Sequence, residues 1–91
     1  MQCCRVVICG QVQGVFFREW TVSVARELGV NGWVRNRSDG TVEVKAMGPS
    51  HLLDQFTARL QEGSPASRVH AVHVESADAE NFHGFARRQT V

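Results

Sequence analysis

Residues Arg5 to Gly29 read RVVICGQVQGVFFREWTVSVARELG, and the side-chain period changes once along this stretch. From Arg5 to Cys9 the residues are mostly β-branched and nearly all apolar. Such a run suits a strand covered on both faces, near the middle of a sheet. Gly10 to Gly14 follows as a glycine-bounded loop. Beyond it, Phe17, Trp20, Val24 and Leu28 recur at intervals of three and four. The spacing predicts a helix with these four residues on its buried face. Arg18, Glu19, Ser23, Arg26 and Glu27 take much of the remaining surface, and Gly29 is a natural stop.

The rest of the chain completes the pattern. Asn31-Gly32 marks a turn, Trp33 and Val34 open a second strand, and Arg37-Ser38-Asp39-Gly40 has the composition of a hairpin connection. Thr41 to Met47 alternates, with Val42, Val44 and Ala46 on one side and Thr41, Glu43 and Lys45 on the other. That predicts a half-buried strand with Glu43 in solvent. Gly48-Pro49 opens a second helix, with proline expected at its first position. Leu53, Phe56 and Leu60, helped by Leu52, form its apolar face, and Gly63-Ser64-Pro65 ends it. Arg68 to Glu75 is a fourth strand, with Val69, Val72 and Val74 supplying its bulk, Ala77 to Gly84 is loop-like, and Phe85 to Arg88 suits a short fifth strand.

The order β-α-β-β-α-β defines an α+β, ferredoxin-like split arrangement, expected as an antiparallel sheet with both helices on one face. Strands 1 and 2, joined by a helical crossover, then run parallel with strand 3 between them. The loop leaving strand 1 and Asn36 at the end of strand 2 therefore meet at one sheet edge.

With 91 residues the chain is expected to form one domain, residues 1–91. The formal charge of +1, with both signs scattered, argues against a general nucleic-acid partner. No apolar run is long enough to span a membrane. The N-terminus lacks the basic, apolar and small-residue segments of an export signal, so a cytoplasmic location is expected, and the sequon Asn36-Arg37-Ser38 should be idle. Cys3, Cys4 and Cys9 are odd in number and form no CxxC pair. Reduced thiols are expected, with Cys9 as a small buried apolar residue.

The segment Gly10-Gln11-Val12-Gln13-Gly14-Val15-Phe16-Phe17-Arg18 carries the chemistry. A glycine loop between strand and helix can turn its backbone N–H groups inward as an anion nest. The helix start adds free N–H groups and a partial positive charge. Arg18, in the first turn, supplies a permanent planar cation that matches phosphate oxygens. Spacing alone leaves a second reading open, a plain turn followed by a solvent-facing arginine. A nucleotide P-loop is excluded, because three residues separate the glycines and no Lys-Ser/Thr follows.

The same segment resembles the acylphosphatase signature Gly-x-Val-Gln-Gly-Val-x-Phe-Arg at every fixed position. Gly32-Trp33-Val34-Arg35-Asn36-Arg37-Ser38-Asp39-Gly40-Thr41-Val42 resembles the family's second signature, Gly-aromatic-Val-x-Asn-x-x-x-Gly-x-Val. The two occur in the family's order and spacing, and the resemblance covers nearly the whole chain. It implies hydrolysis of the carboxyl–phosphate bond of an acyl phosphate, to carboxylate and inorganic phosphate, with no metal and no cofactor. The backbone of Gln11, Val12, Gln13, Gly14, Val15 and Phe16 would cradle the phosphoryl oxygens. Arg18 would bind the phosphoryl group through the transition state, and Asn36 would position the attacking water. Phosphate or sulfate is the anion expected to bind there, in a monomer. The chain departs from the resemblance at Arg87-Arg88-Gln89-Thr90-Val91, which runs past the point where many relatives stop, and Arg37 occupies a variable position.

Other constellations carry less. His70 and His73, three apart on a strand, point to opposite faces, and with His51 and His83 read as surface residues. Trp33 reads as core or edge packing. A non-catalytic acyl- or carbamoyl-phosphate binding module is the alternative function. An RNA-binding domain shares the element order, but Thr41-Val-Glu-Val-Lys-Ala46 lacks its aromatic signature. A metallochaperone would need cysteines in the first loop.

Overall fold

The first strand extends well beyond its apolar centre. In the computed structural model, which describes residues 1–91, β1 spans Gln2–Gln11 and lies between β4 (Arg68–Ser76) and β3 (Val42–Gly48). Beyond β3 lie β2 (Asn31–Asn36) and β5 (Phe85–Arg87), giving the order β4-β1-β3-β2-β5. Helix α1 (Phe17–Leu28) joins β1 to β2, and α2 (Ser50–Glu62) joins β3 to β4. β1 and β2 each pair antiparallel with β3 and are thus parallel to each other. The fifth strand corrects one expectation: β5 pairs parallel with β2, so the sheet is mixed.

Both helices pack on one face. Beneath them Val6, Ile8, Val34, Val42, Val44 and Ala46 have no exposed surface. Each fully buried valine or isoleucine contributes about 1.5–3 kcal/mol, so stability concentrates in β1, β3 and β2. β4 is an edge strand, and its Val74 is 49% exposed. Val69 and Val72 do reach the core. Three residues apart, they share a face because a register irregularity sits opposite Cys9/Gly10. Gly10 is required there. A Cβ on it would lie 2.1 Å from the Arg68 carbonyl oxygen.

Several local expectations are corrected. Gly10 and Gln11 belong to β1, so the loop proper is Val12 to Phe16. The buried face of α1 is Phe17, Thr21, Val24 and Ala25, with Trp20 and Leu28 only half-buried. Thr21 is tolerated because its hydroxyl donates to the Phe17 carbonyl at 2.9 Å. Pro49 caps α2 rather than beginning it: its ψ of 144° is extended, and its carbonyl accepts from Leu52 and Leu53. Cys3 and Cys4 are the buried thiols, whereas Cys9 is half-buried, and all three are free. Burial pushes the Cys3 and Cys4 thiols above the ordinary value, keeping them protonated.

Glu43 is the largest departure. It is buried on the open face of the sheet, between Arg5 (2.5 Å) and Arg35 (2.6 Å). Burial raises its carboxyl's pKa, but the bonds from Arg35 and Arg5 outweigh that and hold it below the usual range. On the same face Trp33 lies between the guanidinium groups of Arg35 and Arg88, 4.6 and 4.8 Å from its ring centre. Trp33 is therefore packing. No helix is long and apolar enough to cross a membrane.

Candidate active site

The parallel relation of β1 and β2 brings the loop after β1 and the end of β2 to one sheet edge. A cavity of ≈ 320 Å³ opens there, lined by Val12, Gly14, Phe16, Phe17, Arg18, Glu19, Asn36 and Arg87.

Two buried side chains anchor the loop at its ends. Val12 and Phe17 are each 1% exposed and belong to the core. Between them the backbone turns left-handed twice, at Gly14 (φ 73°) and at Phe16 (φ 60°). Glycine adopts this at no steric cost, but phenylalanine does not; a non-glycine residue held there costs about 1–3 kcal/mol. Phe16 gains little from burial in return, since it is 79% exposed. The conformation is thus imposed by the anchors on either side. None of the N–H groups from Val12 to Phe16 donates in a backbone hydrogen bond. Together with the free N–H groups of the first turn of α1, they form a concentrated set of unspent donors.

A side chain of the loop secures it laterally. The Gln13 amide donates to the carbonyls of Arg37 and Thr41, both at 2.8 Å. This ties the β1–α1 loop to the β2–β3 turn and sets the loop's height relative to Asn36. Gln13 and Val15 are half-buried and do not line the cavity, and Val15 packs on the core. Gln11 lies in β1 opposite Arg68, also outside the lining. Val12, Gly14, Phe16, Arg18 and Asn36 come together there, as the two sequence motifs lead one to expect.

Arg18 is half-buried in the first turn of α1. Its Nη1 donates to the Arg88 carbonyl at a long 3.4 Å, and no carboxylate pairs with it. Its charge therefore remains available to a ligand. Asn36 ends β2 at 9% exposure, and its Oδ1 is buried without a hydrogen-bond partner. An unmade bond at a buried carbonyl oxygen costs about 1–3 kcal/mol, and Asn36 lines the same cavity as Arg18.

The terminal residues, whose role the sequence left open, border this edge. β5 continues as Arg88 N–H donating to the Val34 carbonyl (2.8 Å), Val91 N–H to Asn36 (3.1 Å), and Ser38 N–H to Val91 (2.6 Å). The tail thereby props β2 beneath Asn36, offers the Arg88 carbonyl to Arg18, and brings Arg87 into the cavity wall, where it pairs with Glu19. Sequence reading missed Glu19 and Arg87, since a contact across 68 residues leaves no local pattern. No three His, Cys, Asp or Glu side chains are grouped to hold a metal ion.

A ferredoxin-like sheet with a strained, donor-rich loop, an unpaired arginine and a buried amide at one edge defines a protein built to hold a small oxyanion. Comparison with known proteins narrows this. The acylphosphatase family profile matches residues 4–87. An acylphosphatase of Rhizorhabdus wittichii is 49% identical over 87 residues, 96% of this chain and 88% of that one. One of Rhodospirillum rubrum is 40% identical over the full length of both chains. The crystal structure of the Bacillus subtilis acylphosphatase superposes with a TM-score of 0.93 at 37% identity, covering 97% of this chain and 99% of that one. The chain belongs to the acylphosphatase family, and it is an enzyme acting on small-molecule acyl phosphates.

Proposed function

We propose that Arg18 and Asn36 divide the work of acyl phosphate hydrolysis, Arg18 with the loop holding the phosphoryl group and Asn36 placing the water. One observation supports this most: a guanidinium with no carboxylate partner and a buried amide with an unbonded oxygen belong to residues that line one cavity, beside backbone N–H groups that bond to nothing. The substrate's phosphoryl oxygens take up the N–H groups of Val12 to Phe16 and the guanidinium of Arg18. These donors stand ready before the substrate arrives, so charge is stabilised without reorganisation. Asn36 holds the water through its side-chain amide, with a lone pair of the water directed at phosphorus. An amide is too weak a base to take the proton, so it passes to a phosphoryl oxygen of the substrate. The carboxylate leaves readily without an acid, and the reaction therefore asks for position and charge rather than for a strong base.

The reading extends to the setting. The protein is proposed to act without a metal, as a monomer in the cytoplasm, where its free thiols remain reduced. Inorganic phosphate or sulfate occupies the same cradle as a competitive anion. Candidate substrates include 1,3-bisphosphoglycerate, carbamoyl phosphate and β-aspartyl phosphate.

The test is hydrolysis of benzoyl phosphate in EDTA by the wild type, Arg18→Gln and Asn36→Ala. Fast turnover in the wild type, lost in both variants, is the expected result. A folded wild type that binds phosphate but turns over no faster than buffer would instead establish a binding module.

A further inference from the structure

We propose that Arg87, oriented by Glu19, makes this cavity selective for acyl phosphates whose acyl portion carries a second negative charge. The inference rests on the acyl phosphate reading above and assigns the other half of the same cavity. The loop and Arg18 take the phosphoryl end. The most exposed of the remaining lining side chains are Phe16, Glu19 and Arg87, and the acyl end of a bound substrate is placed against them.

Arg87 reaches that position through the backbone. It pairs with Val34 in β2, two residues before Asn36, and shares a face with the buried Phe85. That face points to the helix side, where Glu19 follows Arg18 in the first turn of α1. The ion pair uses only Nη1 of the guanidinium, so Nη2 and Nε remain to donate. A planar fork bonded at one corner can present its other edge to a carboxylate or phosphate. Both side chains are about half exposed, at 51% and 46%, so the pair is held weakly and the guanidinium can adjust to a ligand at small cost. Glu19 in the first turn of α1 complements the helix dipole, and it also sets an anion beside a site for anions. There it aims Arg87, and its own charge limits how strongly this part of the cavity attracts a distal anion. Arg87 is thus a specificity residue and Glu19 a positioning residue.

The experiment compares kcat/KM for succinyl phosphate with that for butyryl phosphate, which matches it in length but lacks the distal carboxylate. In the wild type the ratio favours succinyl phosphate and shrinks as salt is raised. Arg87→Gln lowers the ratio roughly tenfold, and Arg87→Lys, which keeps the charge but not the fork, restores part of it. Glu19→Gln keeps an oxygen to orient Arg87 while removing the opposing charge, and raises the ratio. A purely structural role for Arg87 would change both substrates together, so an unchanged ratio in Arg87→Gln, or one that ignores salt, overturns the proposal. No turnover of either substrate by the wild type would instead defeat the underlying acyl phosphate reading.

Discussion

Two regions of this molecule hold arginines at similar exposure and use them in opposite ways. On the open face of the sheet, Arg5 and Arg35 close on the buried carboxylate of Glu43, and their charge is spent inside the protein. At the sheet edge, Arg18 touches only a carbonyl, and the amide of Asn36 beside it is left without a partner. The first arrangement satisfies its members and serves the fold. The second leaves its members unsatisfied, and on the proposed reading serves a ligand. Residue type does not separate the two; what each guanidinium lacks does.

The comparison can be broken from either side. Removing Arg18 gives the largest effect: Arg18→Gln should cost ~2.7–4 kcal/mol of transition-state stabilisation, read in kcat. The urea midpoint of that variant should hardly move, because the side chain's one internal bond is long. Glu43→Gln should do the reverse. Removing one member of a buried ion pair costs about 3–5 kcal/mol, and because both arginines are about one-third exposed we expect roughly 1–3 kcal/mol in urea unfolding. Its kcat should stay near that of the wild type. If Glu43→Gln lost activity without losing stability, the division between the regions would fail.

Gln13→Ala sharpens the comparison, since Gln13 is the brace between structure and site. Two hydrogen bonds to carbonyls are lost, about 1–2 kcal/mol in total, and the loop is no longer held against the β2–β3 turn. Unfolding should shift by that amount, and KM should rise more than kcat falls.

The smallest effect is in pH. Glu43 has a folded pKa below its unfolded value, so its contribution is complete above the unfolded value. That contribution disappears as pH falls through the folded value. Acid titration of stability should therefore be steeper for the wild type than for Glu43→Gln below the ordinary carboxylate range, and the two should converge at low pH. Asp39, whose carboxyl is held low chiefly by the Thr41 hydroxyl, moves in the same direction. A parallel pair of curves would remove Glu43 from the account.

The sheet edge was largely legible in the residues. Gly10 to Arg18 lies within one stretch of chain, Asn36 follows from the parallel relation of β1 and β2, and the element order states that relation. What stayed hidden depends on packing. Alternation placed Glu43 on the outer side of β3, but only the roof formed by Arg5 and Arg35 makes that side an interior. The spacing of Phe17, Trp20, Val24 and Leu28 located α1, yet the helix is rotated so that Thr21 and Ala25 meet the sheet. A threonine with its hydroxyl satisfied by its own helix is invisible to hydropathy. Pro49 caps α2 rather than beginning it because its carbonyl, not its missing N–H, is what the helix uses. Glu19, Arg87 and the bracing tail meet the cavity through a parallel strand of three residues, too short to announce its partner.

The most direct test of divided labour at the sheet edge measures two constants on one variant, the kcat for benzoyl phosphate and the inhibition constant for inorganic phosphate, in Asn36→Ala. If Asn36 places water and the loop with Arg18 holds phosphate, kcat collapses while phosphate inhibits as it does in the wild type. If phosphate inhibition weakens in step with kcat, Asn36 is part of the cradle and the division between holding and attacking is wrong.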